Sequence, residues 1–215
     1  MEPFDIFIWK RIFVQIGGVI AIALVLGGFL VVYSATYNSV SNLDRQADAG
    51  WAGITRDMQE RYGGIPGLAD DLRPSLGSDA SSLDEVARNM SRLRTALDEG
   101  DMGTINPATT NLEASLSLLT GVLKEHPEFG SSPEVRDFLA TLEASEGRIS
   151  DDQSNFNEGI QSYNQAISSF PASLWTYNWG FSRREYFTAR IGTREPPSLP
   201  VEETGTYSFD PSGIR

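Results

Sequence analysis

The chain has no cysteine, one histidine (His126) and two lysines (Lys10 and Lys124) among 215 residues. Without cysteine there is no disulfide, thiolate nucleophile, zinc ribbon, iron–sulfur cluster or covalently attached haem. One imidazole cannot build a multi-histidine site, and no Glu-x-x-His occurs, which excludes a ferritin-like di-metal bundle. No P-loop is present: glycines are scattered and lysine is nearly missing. Positive charge is short throughout, 17 basic against 29 acidic residues, a net of −12. Such a chain is a poor neutraliser of phosphates, so nucleic acid is not expected as a partner. The neighbouring carboxylates Asp70-Asp71 and Asp151-Asp152 fall on helices, where adjacent side chains diverge. They read as solvated faces and not as acid/base pairs. His126 precedes Pro127 in a turn and reads as a surface residue, and Asn89-Met90-Ser91 is a glycosylation-type triplet set in a helix. No catalytic residue, cofactor or metal site is therefore expected.

What is present begins with an apolar run. Residues 12–33, IFVQIGGVIAIALVLGGFLVVY, hold no charge and one amide, Gln15. As a helix, this run is about 33 Å long, a match to a hydrocarbon core of roughly 30 Å. It reads as a transmembrane helix, and the lipid bilayer as the first partner. A cleaved signal peptide fits less well, because the run is long and has no clear A-x-A-like site. Trp9, Tyr33 and Tyr37 suit the membrane–water interface. Gly17-Gly18 and Gly27-Gly28 suit either close helix contact or lipid. Lys10 and Arg11 abut the first end, and the next basic residue is Arg45. The positive-inside rule then puts residues 1–11 in the cytoplasm and the bulk in an extracytoplasmic, periplasm-like space. Absence of cysteine fits that placement.

Residues 34–171 read as an all-α, antiparallel four-helix bundle continuing from the anchor. A first helix near 37–62 carries Val40, Leu43, Ala47, Trp51, Ile54 and Met58 at three- and four-residue steps. A second run, 65–97, carries Leu68, Leu72, Leu76, Leu83, Val86, Met90, Leu93 and Leu97, with a kink or break expected at Pro74 and Gly77. Residues 100–107 read as a loop, with Pro107 opening a third helix over 108–124. The last helix shows a sustained 4–3 seam at Val135, Leu139, Leu142, Glu146, Ile149, Gln153, Phe156, Ile160, Tyr163, Ile167 and Phe170, stopped by Pro171. That is the packing seam of an antiparallel bundle or coiled coil. Glu146 and Gln153 interrupt it one heptad apart. Buried polar groups need partners, so this pair is either a register device or a ligand site.

These residues resemble those of LemA family proteins. The resemblance rests on Tyr37-Asn38, Ala49 to Ile54, Gln59 to Tyr62 and Ile65 to Leu68. It extends to His126 to Phe129, to Glu146, Arg148, Ile149, Asn157, Tyr163, Asn164, Ile167, Phe170 and Pro171 in the last helix, and to Gly180-Phe181 with Glu185 to Phe187. Gly63-Gly64, Gln153, Phe156 and the stretch around Pro74 depart from the family pattern. Where the family often has Arg, this chain has Gln153, so any pairing with Glu146 is lost. The resemblance implies an N-terminal transmembrane helix before an antiparallel bundle. It also implies association with membrane remodelling, envelope stress or membrane proteases, and no agreed enzymatic activity.

Residues 172–215 form an extended, aromatic and Pro-rich tail, with Pro196, Pro197, Pro200 and Pro211. Such a tail either packs back on its own bundle or docks on another subunit. The candidate partner-binding residues are Trp175, Tyr177, Trp179, Phe181, Arg183, Arg184, Tyr186 and Phe187, because aromatics and Arg are favoured anchors. Arg190 and Arg194 add positive charge for an acidic surface or anionic lipid. The expected function is a non-catalytic, membrane-anchored scaffold or accessory subunit of a larger membrane protein assembly, with homo-oligomerisation as one form of it. The alternative is an envelope-stress or ligand-sensing signalling module acting through a membrane partner.

Overall fold

The structure, a computed structural model, describes residues 3–77, 80–126, 128–129 and 132–192, with side chains described from residue 15 onward. Pro127, Arg194 and the Pro-rich end from residue 193 lie outside the described residues, as do the side chains of Trp9, Lys10 and Arg11. Most of the described residues are helical, and there is no strand among them. Five long helices follow one another: α1 Pro3–Gly63, α2 Ile65–Leu76, α3 Ala80–Glu99, α4 Met102–Glu125 and α5 Pro133–Ser168. A 3-10 turn at Ala172–Leu174 and a single helical turn, α6 Thr176–Trp179, come next. Residues 180–192 have no regular secondary structure apart from turns at Gly180 and Gly192.

The chain divides into two compact units. Unit 1 comprises residues 1–47 and 162–184; unit 2 comprises residues 48–161 and 185–215. In unit 1, α1 carries an 18-residue window of mean hydropathy 2.5, long and apolar enough to cross a membrane. Its apolar side chains from Ile16 to Val32 face outward. The core of unit 1 is Val40, Tyr163, Ile167 and Ala172, flanked by Leu43, Ala166, Trp179 and Phe181.

Unit 2 holds the larger core. Ile54 and Met58 of α1, Leu83 and Val86 of α3, Leu112, Leu116 and Leu119 of α4, and Ile149 and Ile160 of α5 are almost wholly removed from water. These are the residues at three- and four-residue steps, so the amphipathic stripes decide which face of each helix turns inward. The expected second helix is two helices. Pro74 lies inside α2, and Gly77 ends it at φ +54°, a conformation that favours glycine. Two positions in α5 differ from the seam. Phe138 is buried while Leu139 is half-buried, and Phe170 lies beyond the helix, exposed. α5 stops at Ser168, because the residue preceding a proline disfavours helical backbone and Pro171 follows Phe170.

The third expected helix starts six residues earlier than its proline suggests. Asp101 caps α4, its carboxylate accepting from the Gly103 amide at 3.2 Å, and Ile105 is buried inside the new first turns. An N-cap carboxylate satisfies an orphan donor and complements the helix dipole. That outweighs the hydrogen bond Pro107 cannot make. Burial of Ile149 gives the simplest test of the core. Ile149→Ala should lower unfolding stability by about 2–5 kcal/mol, measured by chemical denaturation.

Candidate functional site

The chemistry of unit 2 converges on residues 185–192. This segment is extended, and it alternates. The side chains of Phe187, Ala189 and Ile191 are buried, whereas Tyr186 and Thr188 are half-buried and Arg190 is exposed. The alternation is that of a β-strand, whose side chains and backbone groups point to opposite sides in turn. Among the described residues no neighbouring strand pairs with it. Side chains of α4 and α5 do so instead.

On the α5 side the odd residues are held. Asn157 Oδ1 accepts from the Phe187 amide and Asn157 Nδ2 donates to the Phe187 carbonyl, both at 2.9 Å. Gln153 Nε2 donates to the carbonyls of Phe187 at 2.8 Å and Ala189 at 3.0 Å. On the α4 side the even residues are held. Asn106 Nδ2 donates to the Tyr186 carbonyl at 3.1 Å, and its Oδ1 accepts from the Thr188 amide at 2.7 Å. Thr110 Oγ1 accepts from Arg190 at 3.2 Å, and Glu113 Oε2 from Gly192 at 2.9 Å. The register follows from geometry. One helical turn rises about 5.4 Å and two strand residues about 6.6 Å, so polar residues at three- and four-residue steps meet every second strand residue. Unit 1 repeats the device with Asn164, which accepts from the amide of Arg184 and donates to its carbonyl, both at 2.9 Å.

The end of this strap rests on a buried ionic cluster. Arg61 of α1 forks onto Glu113, Nε to Oε1 at 2.6 Å and Nη2 to Oε2 at 2.8 Å. Its Nη1 donates to the Leu142 carbonyl and to Ser145 Oγ. Tyr62 donates its hydroxyl to Glu113 Oε1 at 2.6 Å. Arg61 and Glu113 are both buried. Burial alone would lower the Arg61 pKa, but the hydrogen bonds and charge of Glu113 outweigh it and raise it. The Tyr62 phenol is pushed well above its ordinary value, first by burial and then by the neighbouring carboxylate. Gly192 sits at φ +60°, and a Cβ there would collide with the Glu146 carboxylate. Glu146 and Gln153, the two polar interruptions of the seam, thus both face the strap. Outside the cluster, Arg148 of α5 reaches Glu60 at 2.8 Å and Asp57 at 3.7 Å on α1.

The aromatic candidates fall into two sets. In unit 1, Trp175 packs edge-on against Phe29 and Tyr33, Trp179 against Tyr33 and Tyr37, and Phe181 beside Tyr37 and Tyr163. Arg184 pairs with Asp44 at 2.7 Å and lies 5.6 Å from the Tyr163 ring centre. Tyr177 is 93 % exposed, and Arg183 is exposed. In unit 2, Phe187 is fully buried against Trp51, and the Tyr186 hydroxyl is buried with no hydrogen-bond partner among the described residues. Phe187, Trp175 and Trp179 therefore anchor the chain on itself. The tail also begins as short helical turns, and becomes extended only after α6. His126 lies half-exposed in a turn, its Nδ1 2.9 Å from Glu128 Oε1.

Sequence reasoning did not single out Glu113 or Asn106, and it noted Arg61, Asn157 and Asn164 only as family positions. The available signal was the alternation Phe187-Thr188-Ala189-Arg190-Ile191 together with polar residues at helical steps: Asn106, Thr110 and Glu113 on α4, Gln153 and Asn157 on α5. Among the described residues, no group of three or more His, Asp or Glu is placed to hold a metal ion. An apolar groove of about 210 Å³ lies between α1 and α3, walled by Met58, Tyr62, Met90 and Leu93.

The architecture is that of an all-α protein with one helix able to cross a membrane and a helical domain closed by its own C-terminal strap. Residues 50–200 match the LemA family, and the chain belongs to that family. A search of the curated proteins gives no significant match.

Two tests follow from the cradle. Asn157→Ala leaves the buried Phe187 amide unpaired, at about 1–3 kcal/mol, while the Phe187 carbonyl keeps Gln153 Nε2. Tryptic cleavage at Arg190 and hydrogen exchange at Phe187 should both accelerate. The second test is alkaline. Below about pH 10 the Tyr62 phenol is protonated in both folded and unfolded chains, so its contribution is constant. Above that pH the unfolded chain loses the proton first, and stability falls as pH rises towards the higher folded value. Tyr62→Phe should cost about 1.5–3 kcal/mol at neutral pH, the worth of a hydrogen bond to a charged group. It should also make the loss of stability above pH 10 shallower than in the unaltered chain.

Proposed function

We propose that this LemA family member is a single-pass membrane protein that acts as a non-catalytic scaffold or accessory subunit. By the positive-inside rule, Lys10 and Arg11 before the apolar run support a cytoplasmic N-terminus and an extracytoplasmic helical domain. The LemA family is not known as an enzyme family.

The observation that carries the reading is how the polar side chains of α4 and α5 that face the strap are spent. Asn106, Glu113, Gln153 and Asn157 all pair with the strap. Groups that hold a fold together are committed before any substrate arrives. Glu146 and Gln153, where a sensor would take its ligand, have the chain's own backbone beside them. This supports a rigid platform over a ligand-driven switch. The platform offers an acidic exterior, net −12 over the whole chain, to other membrane proteins or to further copies of itself.

Extraction of the native membrane in mild detergent, followed by a native gel and mass spectrometry, tests this. The chain should co-migrate with one larger assembly of membrane proteins or as a defined multimer. Migration as a lone 23.6 kDa chain would overturn the proposal. In whole cells, a membrane-impermeant maleimide should label Leu118→Cys directly and Glu2→Cys only after lysis. The absence of native cysteine makes both readouts clean.

A further inference from the structure

The turn that follows α5 in unit 1 has three large apolar side chains exposed: Phe170 by 81 %, Leu174 by 60 % and Tyr177 by 93 %. They alternate with side chains that hold the turn onto α1. Trp175 lies 5.8 Å from Phe29 and 5.3 Å from Tyr33, ring centre to ring centre. Trp179 donates its indole N–H to the Tyr33 hydroxyl at 2.7 Å. Phe181 packs beside Tyr37. The contacts descend α1 in order, from Phe181 at Tyr37 to Trp175 at Phe29.

Phe29 lies inside the apolar run, four residues before its end at Tyr33, or about 6 Å along the helix. A side chain resting on Phe29 is therefore at the depth where hydrocarbon meets headgroups. The local composition agrees. Residues 12–43 of α1 and residues 162–182 carry no Asp, Glu, Lys, Arg or His, although 21 % of the whole chain is charged. A water-facing turn of so acidic a protein has no reason to lack charge on both strands. Trp and Tyr favour this depth, and interfacial segments bury apolar side chains about 5–10 Å into the headgroup–acyl boundary.

We propose that residues 170–179 form a second, interfacial membrane contact, a foot whose Phe170, Leu174 and Tyr177 insert into the bilayer that α1 spans. The occupant of this apolar face is lipid, because the face is continuous through Trp175 with the spanning helix. The foot rests on the reading of α1 as a membrane span, and the test separates the two.

Single-cysteine variants of the full chain, Leu174→Cys, Tyr177→Cys, Val25→Cys and Leu118→Cys, are labelled with an environment-sensitive fluorophore. Each is reconstituted in vesicles of phosphatidylcholine and phosphatidylglycerol. Labels at 174 and 177 should shift to the blue, be quenched by lipid bearing a nitroxide near the headgroup, and resist aqueous iodide. The label at 118 should do the reverse. If 174 and 177 are quenched by iodide as strongly as 118 while 25 is quenched by lipid, the foot is overturned and the span stands. If 174 and 177 resist both quenchers, protein covers them and the foot is again overturned. If 25 is itself open to iodide, the span fails and the foot with it.

Discussion

A strand buried without a neighbouring strand is the constraint on which unit 2 depends. Every backbone N–H and C=O taken from water needs a partner, and an unpaired one costs as much as a lost hydrogen bond. Residues 185–192 bury Phe187, Ala189 and Ile191, so their backbone is carried inside with them. Helices cannot supply backbone partners, because their own groups are already paired. The partners are side chains, and amides suit the task because each carries both a donor and an acceptor. Asn157 and Asn106 each use both halves on the strap. The strap thereby fixes the distance between α4 and α5, since each helix must present its polar row at hydrogen-bonding range from one extended chain. Interior packing would be satisfied by many slightly different spacings; the ladder selects one.

The Arg61–Glu113 pair has to be judged against this ladder. Two charges leave water, and burial of an ion pair is weak support for stability unless geometry and further hydrogen bonds repay the desolvation. Here the fork is bidentate, and every strongly polar edge has a second partner: Leu142 and Ser145 for Arg61, Tyr62 and Gly192 for Glu113. The raised Arg61 pKa expresses the same balance, with attraction outweighing desolvation. One consequence concerns specificity. Glu113 accepts from the strap's last described amide at Gly192, where only glycine fits beside Glu146. Sliding the strap by one residue would remove that amide from Glu113 and press a side chain onto Glu146. The ionic cluster thus sets the register of the strap, a role that a hydrophobic replacement of similar volume could not take.

The helices were legible because their apolar steps are regular. Val40, Ala47, Ile54 and Met58 of α1 and Val135, Leu142, Ile149, Phe156, Ile160, Tyr163 and Ile167 of α5 are buried as expected, whereas Leu43, Trp51, Glu146 and Leu139 are half-buried, Phe138 taking the place of Leu139. The break near Pro74 and Gly77 was legible for the same reason, since both residues act on the backbone locally. The start of α4 was not. Pro107 is a strong local signal, but Asp101 and buried Ile105 compete with it, and only packing decides between them. The candidate site was half legible. Glu146 and Gln153 announced a polar partner for the seam, but not its identity. The strap was hidden because an isolated strand has a weak period-2 signal of five residues, easily masked by the aromatics before it. Arg61 and Glu113 were hidden because a charge on a helix face reads as solvated until tertiary structure covers it.

Unit 1 solves a different problem with different residues. Its contacts are aromatic, from Phe29 and Tyr33 to Trp175, Trp179 and Phe181, with one ring polar enough at its edge to pair with Tyr33. Aromatic pairs hold direction through ring geometry and do not depend on formal charge, so they keep their worth where the dielectric is low. Charge first enters where it can still be hydrated. Asp44 and Arg184 meet at 2.7 Å with about a quarter to a third of each side chain exposed (26 % and 31 %), and the guanidinium also lies over Tyr163. A partly hydrated pair of this kind adds little stability, yet its position is informative. It closes a stretch of α1 in which every residue from 12 to 43 is uncharged. Moved one or two turns toward Phe29, the same pair would need to shed that water with no second set of partners to replace it. From residue 12 on, the order along α1 is aromatic first and ionic only from Asp44, so unit 1 places its ion pair where part of each side chain still reaches water.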